Sequence, residues 1–126
     1  MDAARLKEIF AKHHVRLAVM FGSRARGTGH PSSDFDFAVE GDVDTIALAA
    51  ALSDAVSANV DVVDLDGLSY SLRSEVLRDG KVVYENRHGV AAEWRTRAIL
   101  EHETDRPLFE RMQRAYLARV AAKGIL

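Results

Sequence analysis

Apolar and polar positions follow two different periods along the chain, and the two periods alternate. Short, nearly continuous apolar runs rich in β-branched residues predict strands at 15–21, 35–39, 60–65 and 81–85. Apolar positions three or four residues apart predict helices at 2–13, from Asp42 or Asp44 to about 58, and from about 69 to 79. The order of these elements predicts an α+β or mixed α/β domain, with helices flanking a small mixed sheet.

The last third of the chain has the helical period throughout. Apolar positions repeat along residues 88–103 and again beyond Asp105. Asp105 suits the N-cap of a second helix with Pro107 in its first turn, but a single helix that kinks at Pro107 fits as well. We expect residues 1–86 to form the core of a single domain. Residues 87–126 would form a helical extension packed on that core, on a partner, or on both.

Composition narrows the class of protein. The chain has 126 residues, 48% hydrophobic and 29% charged, which is typical of one soluble domain. It contains no cysteine, so disulfides and thiolate metal sites are excluded. No apolar run approaches the roughly 18 residues of a membrane span, and no secretory leader pattern is present, so we expect a cytoplasmic protein without a membrane partner. The net charge of −2 gives no reason to expect direct binding of nucleic acid.

Candidate chemistry lies where the first two predicted strands meet. The first apolar run ends at Gly22 and Ser23, and the second begins with Asp34 and Asp36. Side chains two residues apart in a strand share a face, and two neighbouring carboxylates repel each other unless a cation lies between them. A divalent metal is the usual cation, whereas the backbone N–H groups and hydroxyl of a Gly-Ser turn suit a phosphate. The combination predicts phosphoryl or nucleotidyl transfer.

The third strand offers another acid. Alternation places Asp61, Val63 and Leu65 on one face, with Asp64 and Asp66 on the other. Asp61 has apolar neighbours along its strand and would be costly to bury without a metal or a hydrogen-bond donor. Asp64 and Asp66 come at the end of the strand, where contact with solvent explains them. We therefore select Asp61 as the third acid of the site.

These residues resemble the signature of the DNA polymerase β-like nucleotidyltransferase superfamily, in which Gly-Ser is followed ten residues later by Asp-x-Asp. More closely, the chain resembles the minimal nucleotidyltransferase (MNT, or MntA-type) antitoxins. The stretches that carry the resemblance are Phe21–Gly27, Ser33–Asp36, Val60–Leu65, Lys81–Glu85 and the helical tail with Asp105 and Pro107. The resemblance covers nearly the whole chain and implies a polymerase β-like fold with a helical C-terminal tail.

The resemblance implies that AMP is transferred from ATP to a tyrosine of a cognate HEPN ribonuclease toxin, which is thereby silenced. It also implies two Mg²⁺ ions and a hetero-oligomer with the toxin. Carried over to this sequence, the catalytic and metal-binding residues are Asp34, Asp36 and Asp61. The nucleotide-binding residues are Gly22, Ser23 and Arg24.

Two other functions remain open on the sequence. The antitoxin could act by stoichiometric binding through its amphipathic tail, or the acceptor could be a small molecule such as an aminoglycoside. About 40 residues of helix leave little room for a small-molecule site. The tail aromatics Trp94, Phe109 and Tyr116 have the helical spacing of core or partner-interface residues rather than of an adenine pocket.

Overall fold

The computed structural model describes residues 2–124, and its helices and strands alternate as the pattern predicts. Most bounds fall within two residues of the predicted ones. The elements are α1 Ala3–Lys12, β1 Val15–Phe21, α2 Gly22–Arg26, β2 Phe35–Gly41, α3 Thr45–Val56, β3 Val60–Asp64, α4 Tyr70–Asp79, β4 Lys81–Glu85 and α5 Val90–Ala122.

The four strands form one mixed sheet in the order β3-β2-β1-β4. Strand β1 pairs antiparallel with both β2 and β4, and β2 pairs parallel with β3. The predicted mixed sheet is therefore confirmed. Because β3 is an edge strand, the first residues of β3 lie beside β2 on one side only.

Helices cover both faces of the sheet. On one face, α1 and α3 pack against β-strand residues in a core that includes Phe10, Phe37 and Leu48. On the other face, α4 and α5 form a second core around residues such as Val76 and Trp94. Burial on two sides explains the nearly continuous apolarity of β1, whose residues other than Arg16 are buried or half-buried.

The tail is one helix, which resolves the alternative that the sequence left open. Pro107 lies inside α5 rather than in the first turn of a second helix. Proline lacks the N–H that the carbonyl of Glu103 would otherwise receive, and both residues are exposed, where water can replace that bond. Only the first part of α5 is buried, at Val90, Trp94, Ala98 and His102.

An aromatic stack attaches the middle of α5 to α4. The Tyr70 ring lies between His102 and Phe109, with centroid distances of 3.9 and 4.1 Å. Burial lowers the pKa of His102, and the positive charge of Arg73 lowers it further. The Nε of Arg73 donates to Nδ1 of His102 at 3.1 Å, which requires a neutral ring with its proton on Nε2.

None of the helices between residues 2 and 124 has both the length and the apolarity that a membrane span needs.

Candidate active site

Gly22 forms the turn between β1 and the five-residue helix α2. Its φ is +77°, a left-handed conformation that glycine adopts without steric cost. A Cβ at this position would overlap with Oδ2 of Asp36. Glycine is therefore required twice here, by the turn and by the neighbouring carboxylate. Ser23 follows in the first turn of α2 and is half-buried.

Asp36 lies between the Gly-Ser turn and the third strand. In the sheet register Asp36 pairs with Phe21 of β1 on one side and with Asp61 of β3 on the other. Neighbouring residues in paired strands project to the same face, about 4.8 Å apart along the backbone. The face is that of the second core, where Val63 and Leu65 pack. The structure thus brings Gly22, Asp36 and Asp61 together.

The environment of Asp61 differs from the one that the sequence predicts. Its apolar neighbours along the strand predict an acid that is costly to bury, yet Asp61 is exposed. The reason is its position at the start of an edge strand. Asp34 is also exposed, one residue before β2 begins, and Asp36 alone of the three is half-buried. Two of the three carboxylates are therefore accessible from outside the protein.

Negative charge accumulates at Asp36. Burial raises the pKa of Asp36, and the nearby carboxylates of Asp61, Asp34 and Glu75 raise it further, while Arg26 partly opposes them. Across residues 2–124, no three acidic or histidine side chains are grouped closely enough to form a ready-made metal site. The donors at Asp36 are nevertheless hard carboxylate oxygens with an excess of negative charge, which is the chemistry that suits Mg²⁺.

Arg24 contacts the connector that follows α2. Its Nε and Nη2 donate to the carbonyl of Ser33 at 3.0 and 2.8 Å, and Nη2 also donates to the carbonyl of Pro31 at 3.1 Å. The guanidinium lies 3.9 Å above the ring of Phe35. Arg24 thereby holds the connector beside the start of β2, a contact that sequence reasoning missed. Its binding to a nucleotide stays a prediction.

Arg26 and two acids of α4 are additional charges next to the site. Nη1 of Arg26 lies 3.1 Å from Oε1 of Glu75 and 3.9 Å from Oδ2 of Asp79. In the structure Arg26 therefore forms ion pairs with acids of α4. Sequence reasoning did not select Glu75 and Asp79. They are four residues apart and so lie on one face of α4, and this spacing is the sequence feature that could have revealed them.

The chain is similar in sequence to a family of nucleotidyltransferases. A profile of the family described as "Polymerase beta, Nucleotidyltransferase" matches residues 4–89. The chain is 39% identical over 75 residues to "Protein adenylyltransferase MntA" of Shewanella oneidensis, over 56% of this chain and 54% of that one. It is 31% identical over 104 residues to the protein of the same name from Aphanizomenon flos-aquae, over 71% of this chain and 69% of that one. The match thus spans about half the length of the Shewanella relative.

Solved structures share the fold. A crystal structure of a toxin-antitoxin with AMP-PNP superimposes with a TM-score of 0.76 at 24% identity, covering 96% of this chain and 99% of that one. A tri-AMPylated Shewanella oneidensis HEPN toxin in complex with MNT antitoxin gives a TM-score of 0.68 at 22% identity, covering 94% and 95%. These likenesses show a common architecture that includes α5.

Proposed function

Because the chain belongs to the polymerase beta nucleotidyltransferase family, we propose that it transfers AMP from ATP to a tyrosine of a cognate HEPN toxin and so neutralises the toxin. The observation that supports this most is the sheet register that sets Asp36 beside Asp61 and beneath Gly22. Burial and the nearby carboxylates of Asp61 and Asp34 raise the pKa of Asp36, which favours a bound cation there over a purely structural role. The relatives named for protein adenylyltransferase activity support the same chemistry.

The residues present divide into a phosphate side and a metal side. Gly22 lets the backbone approach the phosphates closely, and Ser23 would bind the β- and γ-phosphates with its hydroxyl and the adjacent N–H groups. Asp34, Asp36 and Asp61 would hold two Mg²⁺ ions. Bound there, the ions would offset the charge that develops on the leaving pyrophosphate. The raised pKa of Asp36 fits a carboxylate arranged for a cation rather than for solvent.

The open edge of the sheet suits a protein acceptor. A tyrosine hydroxyl has a pKa of about 10 and is a poor nucleophile at neutral pH until a base or a metal acts on it. Asp61 is exposed on edge strand β3, so a tyrosine of another protein can reach its carboxylate from outside. Asp61 would accept the proton of the tyrosine hydroxyl as the phenolic oxygen attacks the α-phosphorus and the bond from that phosphorus to the leaving pyrophosphate breaks. Arg24 would act indirectly, by holding the connector that precedes Asp34.

The remaining parts of the proposal concern assembly. We propose that residues 1–86 carry the chemistry and that residues 87–126 form an extension of the same domain. Solved relatives of the same architecture are complexes with a HEPN toxin, which supports a hetero-oligomer with the toxin as the working form. A cytoplasmic location stays a prediction, compatible with ATP as the substrate.

Labelled ATP tests the proposal. The protein is incubated with Mg²⁺, α-labelled ATP and the toxin encoded beside its gene, and label on the toxin is followed by electrophoresis. Wild-type protein is expected to label the toxin, and Asp61→Asn is expected to lower the rate by about 100-fold or more. Asp64→Asn is the matched control, because Asp64 is an exposed acid on the opposite face of β3. An unlabelled toxin with wild-type protein would overturn the proposal.

A further inference from the structure

One face of α5, from residue 101 to the C-cap that follows the last turn, changes its chemistry along the helix. Seven residues at spacings of three or four form this face, and we call them the α5 face. They are Glu101, Asp105, Leu108, Met112, Tyr116, Arg119 and Lys123. Residues at these spacings lie on one side of a helix. Read from its start, the face is acidic, then apolar, then basic.

The apolar centre of the α5 face has no partner within the described chain. Leu108, Met112 and Tyr116 are 54%, 62% and 58% exposed, whereas Val90 and Trp94 nearer the start of α5 are buried. Each of the three lies two heptads beyond a buried residue, respectively Trp94, Ala98 and His102, so the packed side of the helix continues past the core. Three large apolar side chains in a row at a spacing of four favour a helical partner.

The arrangement of the face identifies that partner. Counted outward from Met112, the spacings are four, three and four residues in both directions. Turning the face end for end about Met112 therefore superimposes each acid on a base and Leu108 on Tyr116. A second copy in antiparallel orientation would set Asp105 against Arg119 and Glu101 against Lys123. A parallel copy would instead oppose like charges, which is unfavourable.

We infer that α5 pairs with the α5 of a second copy of this chain, antiparallel and with a two-fold axis at Met112. The two globular cores then lie at opposite ends of the helix pair. The face extends from residue 101 to residue 123, about 33 Å of helix. A contact of two helices over that length is small, so the dimer forms in a concentration-dependent equilibrium.

The charges at both ends of the face are available. Asp105 and Glu101 lie 2.7 and 3.9 Å from Arg73, but their side chains remain 54% and 59% exposed, and a carboxylate can accept several donors. Within residues 2–124, no carboxylate lies within salt-bridge distance of Arg119 or Lys123. The basic end therefore has unsatisfied charge that the acidic end of a second copy can neutralise.

Cysteine cross-linking tests the two-fold axis directly, because the chain contains no cysteine of its own. In the proposed dimer, Met112→Cys places two thiols at the axis, and mild oxidation is expected to give a disulfide-linked dimer. Arg114→Cys is the control, since position 114 is exposed and turned by about 200° around the helix. We expect cross-linking at position 112 to be at least about tenfold faster. Equal rates at the two positions would contradict the axis.

Opposite charges at the same position give an independent test. Met112→Glu and Met112→Arg each set like charges against themselves at the axis, and each is expected to raise the dimer dissociation constant on the order of 100-fold. Mixing the two variants in equal amounts is expected to restore the dimer as a mixed pair. The measurement is sedimentation velocity over a concentration series. A wild-type protein that stays monomeric would overturn the inference, and so would Met112→Glu and Met112→Arg variants that each still dimerise alone. A wild-type protein whose α5 face binds the toxin but no second copy would also overturn it.

Discussion

Strand β2 carries two carboxylates on the same face, and they have opposite surroundings. Glu40 is only 4% exposed, and its oxygens accept hydrogen bonds from Arg16 of β1 and, at 3.2 Å, from Arg97 of α5. Asp36, four residues earlier, is half-buried beside the acids Asp61 and Asp34. Arginines of the same chain thus neutralise the carboxylate of Glu40, whereas the carboxylate of Asp36 lies beside other acids.

The difference separates a carboxylate that supports the fold from one that is arranged for a ligand. Two arginines from different elements neutralise Glu40 and link α5 to the sheet. At Asp36 the neighbouring carboxylates outweigh Arg26, and burial raises the pKa of the acid. A chain selected only for stability would not leave like charges together beside a half-buried acid. Four experiments test this contrast, and their expected effects decrease in the order Asp36→Asn, Gly22→Ala, Glu40→Gln and pH titration.

Asp36→Asn should have the largest effect on the reaction. We expect the rate of AMP transfer to the toxin to fall by about 10³-fold, because a charged ligand at the centre of the acid group is lost. The midpoint of urea unfolding should stay unchanged or rise, because the repulsion between Asp36 and its neighbouring acids is removed. A variant that unfolds more easily than wild type would mean that Asp36 supports the fold, as Glu40 does.

Gly22→Ala should perturb Asp36 without altering its charge. The added methyl meets Oδ2 of Asp36 and would displace that carboxylate, which we expect to lower the transfer rate by about 10- to 100-fold. Gly27→Ala is the control, because Gly27 has nearly the same φ, +76°, and nothing within 4 Å of the added methyl. Both changes should cost about 1–2 kcal/mol of stability from the positive φ. Equal transfer rates in the two variants would mean that Gly22 plays no part in the site.

Glu40→Gln should show the reverse pattern to Asp36→Asn. We expect a loss of about 1–2 kcal/mol in the free energy of unfolding, because two charge-assisted hydrogen bonds to a buried group are weakened. The transfer rate of the folded protein should remain close to wild type. Glu93→Gln, which weakens the exposed pair with Arg87, should alter stability little by comparison. A large loss of transfer rate in Glu40→Gln would mean that both ends of β2 serve the reaction.

The pH dependence of stability should show the smallest effect. Because the folded-state pKa of Asp36 is raised above 3.8, the folded protein holds this proton more tightly than the unfolded chain does. The resulting stabilisation is complete below 3.8 and is lost as the pH rises through the raised pKa. Wild-type protein should therefore lose stability relative to Asp36→Asn across that window. Urea unfolding of both proteins at a series of pH values measures the difference, and a constant difference would contradict the raised pKa.

The sequence was sufficient for what depends on neighbouring residues. Period-two and period-3.6 patterns predicted the strands and helices, and alternation predicted that Asp61 shares a face with Val63 and Leu65. The Gly-Ser and Asp-x-Asp spacing predicted that Gly22 and Asp36 come together. These features are local because backbone geometry determines them within a few residues.

Tertiary structure decided what depends on distant residues. Glu40 and Arg97 are 57 positions apart, and only the packing of α5 on the sheet brings them into contact. The exposure of Asp61 follows from the edge position of β3, which no local pattern reveals. The local pattern also left open whether Pro107 begins or interrupts a helix, and the structure shows one helix, which an aromatic stack on both sides of Pro107 attaches to α4. The identity of the acids was readable in the chain, but which of them would be neutralised depended on the fold.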